Sequence, residues 1–102
     1  MAKYLFVYYG GQMETDPKKA AKSMEDWMKW FGRLGKALVD GGAPTMPGKI
    51  VSAGGVKSAG AKPITGYSIM QAANMEAALK IAKGSPQITA RGQVAVYELA
   101  PM

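Results

Sequence analysis

Residues 16–44 read DPKKAAKSMEDWMKWFGRLGKALVDGGAP, and this stretch decides the fold that the sequence predicts. Asp16 carries a side-chain oxygen suited to an N-cap, and Pro17 follows at the first helical position, where no backbone N–H is needed. Apolar side chains then recur at the three- and four-residue spacing that is typical of a helix facing a core. They are Met24, Trp27, Met28, Phe31, Leu34 and Leu38.

A glycine pair is expected to end this helix. Gly41 and Gly42 would supply a left-handed C-cap, and Pro44 would prevent the helix from continuing. Two interpretations of the aromatic and methionine residues are open: a ligand-binding cluster, or packing in the core. Core packing is favoured, because it needs no more than the helical spacing of Trp27 and Phe31.

Short apolar runs on either side of the helix predict strands. Residues 3–9, KYLFVYY, are rich in the aromatic and branched residues that strands prefer. One face of this strand carries Tyr4, Phe6 and Tyr8, and the other carries Leu5, Val7 and Tyr9. A strand with two apolar faces belongs in the middle of a sheet. Gly10 and Gly11 are expected to end it.

Four further elements are predicted after Pro44. They are a weak or bulged strand from residues 49–52 and 56–58 around Gly54 and Gly55, a strand over 64–72, a helix over 75–83 and a final strand over 93–99. Asn74 is the expected N-cap of the second helix. The inward residues of this helix would be Met75, Ala78, Leu79 and Ala82.

The resulting order is strand, helix, strand, strand, helix, strand, which is the βαββαβ order of the ferredoxin-like fold in the α+β class. The whole chain, residues 1–102, is expected to form this one domain. The sheet would be antiparallel with both helices on one face, so that its other face would be apolar and uncovered. An exposed patch of that kind usually marks association, and the sequence therefore predicts a homodimer whose two sheets pack together.

Composition excludes several classes of site. The chain has no cysteine and no histidine, which rules out disulfides, thiolate nucleophiles, zinc fingers and imidazole bases. The apolar start lacks the charged region and cleavage site of a signal peptide, and no segment has the length of a membrane helix. The expected location is therefore the cytoplasm. The net charge of +6 comes from residues spread along the chain, which favours a solvated surface over a nucleic-acid-binding arm.

Several short motifs, taken together and in order, resemble the YCII-related (YCII-like/DGPF) family of the dimeric α+β barrel superfamily. They are the opening KYLFVYYG, residues 23–27 (SMEDW), Gly42-Ala43-Pro44, Gly66-Tyr67, residues 75–79 (MEAAL) and Ser85-Pro86. The similarity spans nearly the whole chain. It implies a dimer with a pocket in each subunit between the first helix and the sheet.

Two departures from the family pattern bear on catalysis. Family members often carry a histidine on the first helix as part of a possible His-Asp active site, whereas Ser23 stands at the equivalent position here. A serine without an adjacent base is a poor nucleophile and a poor proton acceptor. The Asp-Gly-Pro-Phe motif of one large branch is also missing, and Lys62 lies in that region instead. The missing histidine therefore favours a binding protein or a degenerate enzyme.

A pocket between the first helix and the sheet would take its polar lining from residues at that boundary. The candidate ligand-binding residues are Tyr8, Ser23, Asp26, Trp27, Trp30, Asp40 and Tyr67. No metal and no tightly held cofactor are expected. The groups available for acid–base chemistry are Asp26, Asp40, Glu98 and the tyrosines, and the sequence shows no close pair of carboxylates.

Three alternatives stay open, and the last of them is a purely structural dimer that binds no ligand. The first is a cofactor-free enzyme of the dimeric α+β barrel type, an oxygenase or a small-molecule degradation enzyme. The second is a single-strand binder similar to an RNA-recognition motif, because residues 5–7 and 66–70 resemble its stacking strands. Thr65 and Ile69 stand where that motif has a basic residue and an aromatic one, and the two strands are unusually far apart, which disfavours the second alternative.

Overall fold

The computed structural model describes residues 1–10, 16–60 and 63–101, and within these ranges the chain forms six strands and three α-helices. In order, they are β1 (Ala2–Gly10), α1 (Pro17–Leu34), a short 3-10 turn (Gly35–Ala37), β2 (Leu38–Pro44), β3 (Lys49–Ser52), β4 (Gly55–Ser58), β5 (Ile64–Ala72), α2 (Met75–Lys83), α3 (Pro86–Thr89) and β6 (Gly92–Glu98). The predicted α+β class is confirmed. No helix of the described ranges is long and apolar enough to cross a membrane.

Four strands form one antiparallel sheet in the order β2-β5-β1-β6. Numbered by their order along the chain, these four strands lie 2-3-1-4. The predicted central position of the first strand is confirmed, because β1 pairs with β5 on one side and with β6 on the other. At the middle of the sheet Phe6 lies between Ser68 and Val96.

The core lies on one face of this sheet. Tyr4, Phe6 and Tyr8 alternate along β1 and are all buried beneath the helices. Burial of a side chain such as Phe6 stabilises the fold by about 2 kcal/mol. The rest of the buried cluster comes from β5, α1 and α2, and consists of Met70, Ala72, Trp30, Ala78 and Ala82. Both long helices therefore pack on the same face.

The other residues of β1 face away from the helices. Leu5 lies beside Ile69 of β5, and Val7 lies between Tyr67 and Ala95 of the two neighbouring strands. None of these five side chains belongs to the core cluster formed by the described residues. We call this surface, formed by Leu5, Val7, Tyr67, Ile69, Ala95 and Tyr97, the open face.

The end of the first helix differs from the prediction. α1 ends at Leu34, and the chain leaves it through Gly35, which has a positive φ of 54°. The predicted C-cap glycines, Gly41 and Gly42, instead belong to strand β2, as does Pro44. Leu38 fits the helical spacing, but it pairs with Met70 of β5. Pairing with the sheet thus overrides the helical pattern.

The glycine-rich middle of the chain also differs from the prediction. Lys49–Ser52 and Gly55–Ser58 are two strands of a separate hairpin rather than one bulged strand, with Val51 opposite Val56. The second strand of the main sheet is β2 instead. Every residue of the hairpin strands is exposed. The predicted strand end at Gly11 and the segment around Lys62 lie outside the described residues.

The buried faces of both helices are rotated relative to the predicted ones. Met24 and Met28 are 70% and 66% exposed, whereas Trp30 is buried. In α2, Ala78 and Ala82 are buried as predicted, but Met75 and Leu79 are exposed. Trp27, Phe31 and Leu34 pack at the edge of the core. The large ring of Trp30 thus occupies the deepest position on α1, and the methionines lie to one side.

Gly42 offers a test of the β2–β5 pairing. Its φ is +68°, and a Cβ at this position would overlap the backbone carbonyl of Tyr67. We expect Gly42→Ala to lower the free energy of unfolding by about 2 kcal/mol, because both the conformation and the space require glycine. Gly48→Ala is the matched control, since a Cβ there meets nothing within 4 Å among the described residues. Urea unfolding measures the stability of both variants. Equal unfolding midpoints for Gly42→Ala and Gly48→Ala would refute the pairing of β2 with β5.

Candidate functional site

A cleft of about 460 Å³ lies between α1 and the half of the sheet formed by β2 and β5. The helix forms one wall with residues at helical spacing, which are Ala20, Ser23, Met24, Trp27, Met28 and Phe31. Residues 41–44 of β2 form the facing wall, and residues 65–68 of β5 lie between them with Tyr8 of β1. The cleft therefore opens where the helix lies over the edge of the sheet.

Aromatic rings support the helix wall. The ring of Trp27 meets that of Tyr8 edge to face, with centroids 5.0 Å apart, and lies 5.8 Å from the ring of Phe31. Such pairs stabilise a structure by about 1 kcal/mol beyond the area that they bury. Trp30 lies behind Trp27 at 5.6 Å and belongs to the core. The aromatic rings of the helix wall are thus held in place by the core.

A chain of hydrogen bonds crosses from the sheet to the glycine wall. The hydroxyl of Tyr8 donates to Ser68 Oγ at 2.9 Å, and Ser68 Oγ donates to the carbonyl of Gly41 at 2.8 Å. Burial raises the pKa of Tyr8 to about 12, against the smaller lowering effect of its bond to Ser68. Tyr8 therefore keeps its proton at neutral pH and acts as a hydrogen-bond donor rather than a base.

Glycines leave the space that the cleft occupies. Gly66 pairs with Tyr8, so that any side chain at this position would project from the same face as the Tyr8 ring. A Cβ there would lie 3.1 Å from the carbonyl oxygen of Ala43 and 3.5 Å from the Tyr8 ring. Larger residues would fill the cleft or separate β5 from β2. The cleft thus depends on close approach of backbone in this part of the sheet.

Four of the seven sequence-predicted site residues line the cleft: Tyr8, Ser23, Trp27 and Tyr67. The other three do not. Asp26 forms a salt bridge with Lys22 at 2.8 Å. Trp30 is buried in the core, and the carboxylate of Asp40 accepts a hydrogen bond from the N–H of Gly42 in its own strand. Asp40 therefore shapes the backbone of β2 without reaching the cleft.

Sequence reasoning missed Ser68 and Gln87. Ser68 is completely buried on the inward face of β5, between Gly66 and Met70. Ser68 is a small polar residue at an inward position of a strand. It can be recognised as a site residue only once the pairing register with β1 is known. Gln87 donates to the carbonyls of Tyr9 and Gly10 at 2.8 and 3.1 Å and joins α3 to the end of β1. No sequence signal marked it.

The chemistry of the lining is uncharged. Among the described residues, those that line the cleft include no carboxylate, lysine or arginine. The described residues also contain no group of three or more potential metal ligands. The site therefore offers rings, thioethers, hydroxyl groups, the side-chain amide of Gln87 and backbone atoms.

Comparison of the sequence with models of known protein families gives no match, and comparison with curated proteins gives none either. Function must therefore be argued from the cleft and the sheet.

The Tyr8–Ser68 bond gives a pH-dependent prediction. Tyr8→Phe should lower the free energy of unfolding by about 1 kcal/mol near pH 8. An unfolded tyrosine ionises near pH 10, whereas folded Tyr8 holds its proton to about pH 12. Its stabilisation is therefore fully present below pH 10 and decreases as the pH rises from 10 to 12. The difference in the free energy of unfolding between wild type and Tyr8→Phe should therefore decrease between pH 10 and pH 12.

Urea unfolding followed by far-UV circular dichroism, at about pH 8 and about pH 11, measures this difference. Tyr97→Phe is the control, because it keeps the ring on the open face and removes only the hydroxyl of a side chain that is 56% exposed in the single chain. It should change stability by less than about 0.5 kcal/mol at the lower pH. A difference in the free energy of unfolding between wild type and Tyr8→Phe that stays constant or widens at the higher pH would contradict the burial of the Tyr8 hydroxyl, which raises its pKa.

Proposed function

We propose that this chain is a homodimeric ferredoxin-like protein of the YCII-related kind, and that each protomer binds a small organic molecule between α1 and the sheet. The strand order 2-3-1-4 supports the ferredoxin-like assignment, because that topology places the first and third strands at the centre. The position of the cleft supports the relationship, because the resemblance implies a pocket between the first helix and the sheet.

The observation that carries the ligand proposal is the cleft itself. Its volume of about 460 Å³ falls within the range of small-molecule sites, about 300–1,000 Å³. Its walls combine apolar rings and thioethers with the few convergent polar groups that such sites use for orientation. The hydroxyl of Tyr8, which is held by fully buried Ser68, and the hydroxyl of exposed Thr65 supply those polar groups beside the junction of β1 and β5.

Binding is favoured over acid–base catalysis by the groups that the described lining provides. Tyr8, with a pKa of about 12, is a weak acid at neutral pH. Ser23 has neither histidine nor a carboxylate beside it among the described lining residues. A cofactor-free enzyme of the same superfamily is the alternative, and it would have to use Tyr8 and Ser68 for orientation and draw its reactivity from the substrate.

The RNA-recognition alternative has weaker support. Phe6, on one of the two strands that resemble the stacking strands of that motif, is fully buried beneath the helices. Tyr67, on the other strand, lies on the opposite face. Stacking of bases needs aromatic rings side by side on one exposed face. The two positions therefore do not form the platform that this function requires.

The dimer proposal is supported by the open face. Leu5, Val7 and Ile69 lie side by side across β1 and β5 on this face. In the single chain Leu5 and Ile69 are half-buried, and Val7 is 9% exposed. The helices pack on the opposite side of the sheet. A second copy that placed its own open face here would remove both apolar surfaces from water, and each square ångström buried contributes about 25 cal/mol.

Ile69→Lys tests the dimer. A lysine at the centre of the open face would bury a charge in the proposed interface, which costs far more than the lost packing. Light scattering should give about 22 kDa for the wild type, twice the 10.8 kDa of one chain, and about 11 kDa for the variant. Leu79→Lys, at an exposed position of α2, is the control and should stay dimeric. A monomeric wild type would refute the proposal.

A pair of adjacent substitutions tests the ligand site. Ala20 lines the cleft, whereas its exposed neighbour Ala21 does not. Ala20→Trp should fill the cleft and abolish binding, while Ala21→Trp carries the same change of helix propensity and should leave binding intact. The measurement is the shift of the Gly41, Gly42 and Gly66 amide signals of ¹⁵N-labelled protein during a screen of one- and two-ring compounds. A screen in which no compound moves these signals would contradict the proposal.

A further inference from the structure

We infer that the ligand of the cleft is an uncharged, flat ring compound that carries an N–H or O–H donor, such as a phenol or an indole. This inference rests on the ligand-binding function proposed above. It concerns the chemical class of the ligand, and three independent features of the cleft carry it: charge, the direction of its hydrogen bonds, and the shape of its walls.

Charge is the first feature. The protein has a net charge of +6, yet the described lining of the cleft contains no lysine or arginine to receive an anion and no carboxylate to receive a cation. Four charged side chains of α1 are paired with each other, Lys22 with Asp26 and Lys29 with Glu25. An ion that entered the cleft would lose hydration without gaining a partner, which is costly.

The direction of the hydrogen bonds is the second feature. Three hydroxyl groups at the cleft already donate their protons within the protein: Tyr8 to Ser68, Ser68 to the Gly41 carbonyl, and Thr65 to the Tyr8 carbonyl at 3.2 Å. A hydroxyl oxygen has two lone pairs, so the oxygens of Tyr8 and Thr65 keep acceptor capacity, whereas Ser68 is fully buried. The sheet side of the cleft therefore offers a ligand hydrogen-bond acceptors, and a ligand that donates is complementary.

The shape of the walls is the third feature. Trp27 and Phe31 present rings on one side, and Gly41 and Gly42 present backbone without side chains on the other. Exposed Met24 and Met28 flank the rings on α1 with flexible thioethers, which pack favourably against aromatic rings. The Phe31 ring already lies close to Gly41, where a Cβ would be 3.8 Å from it. A flat ring would therefore lie beside this contact, against the Trp27 ring and the Gly42 backbone.

A set of four matched naphthalene derivatives tests the inference, since they share one ring system. They are 2-naphthol (neutral donor), 2-methoxynaphthalene (neutral, without a donor), 2-naphthoate (anion) and 2-naphthylmethylammonium (cation). Dissociation constants are measured from the amide shifts of Gly41, Gly42 and Gly66 at neutral pH and physiological salt. We expect 2-naphthol to bind about fivefold more tightly than the methoxy compound, and at least about tenfold more tightly than either ion.

Met24→Lys provides a gain-of-function arm. A lysine on the helix wall should strengthen binding of 2-naphthoate at least about threefold by supplying the missing countercharge. Met46→Lys, at an exposed loop position outside the cleft lining, is the matched control and should leave the affinity for 2-naphthoate unchanged.

The outcomes distinguish the inference on ligand class from the ligand-binding function proposed above. Equal or tighter binding of an ion in the wild-type cleft, or of the methoxy compound, would overturn the inference on ligand class while leaving a small-molecule site intact. Failure of all four compounds, and of the wider one- and two-ring screen, to move the three glycine amides would overturn the binding function itself.

Discussion

The alternation of side chains along β1 is the constraint on which the rest of this structure depends. A strand has a period of two residues, so burial of Tyr4, Phe6 and Tyr8 under the helices forces the residues between them onto the other side. A shift of register by one residue would exchange the two sets. Both sets are apolar, and the same strand therefore builds the core and the open face.

The cleft follows from the same alternation. Tyr8 is the last buried residue of the inward set, and it lies where β5 changes from Met70 and Ser68 to Gly66. Loss of side-chain volume at Gly66 ends the packed core and leaves a space beneath α1. The Tyr8 ring braces Trp27, while its hydroxyl reaches Ser68. One residue thus joins the core, the ring wall and the polar end of the cleft.

Most elements were predictable because their signals are local. The aromatic run of β1, the N-cap at Asp16 and the N-cap at Asn74 all mark elements that the structure contains, and both cap side chains accept the expected backbone hydrogen bonds. The end of α1 was not predictable, because the helical spacing continues to Leu38 while that residue pairs with β5. Positive φ at Gly42 was foreseen, but for a helix cap rather than a strand that passes close to Tyr67.

The site was only partly predictable for a similar reason. Helical spacing alone places Ser23 and Trp27 on one side of α1, and both line the cleft. Ser68 and Gln87 depend on how strands and the short third helix meet, which a single sequence does not encode locally. Asp40 was a candidate at the boundary of the helix and the sheet, but its carboxylate instead accepts a hydrogen bond from the backbone of β2. Contacts between distant segments, rather than residue type, decide which polar groups reach the cleft.

The central claim is that β1 presents one apolar set to its own helices and the other to a second copy of the chain. An isotope-filtered NOE experiment on an equal mixture of labelled and unlabelled protein tests it most directly. The account predicts intermolecular NOEs from the methyl groups of Leu5, Val7 and Ile69, and only intramolecular NOEs from Met70 and Ala72. Methyl groups of the open face that show NOEs to the helices of their own chain, or no intermolecular NOE at all, would contradict it.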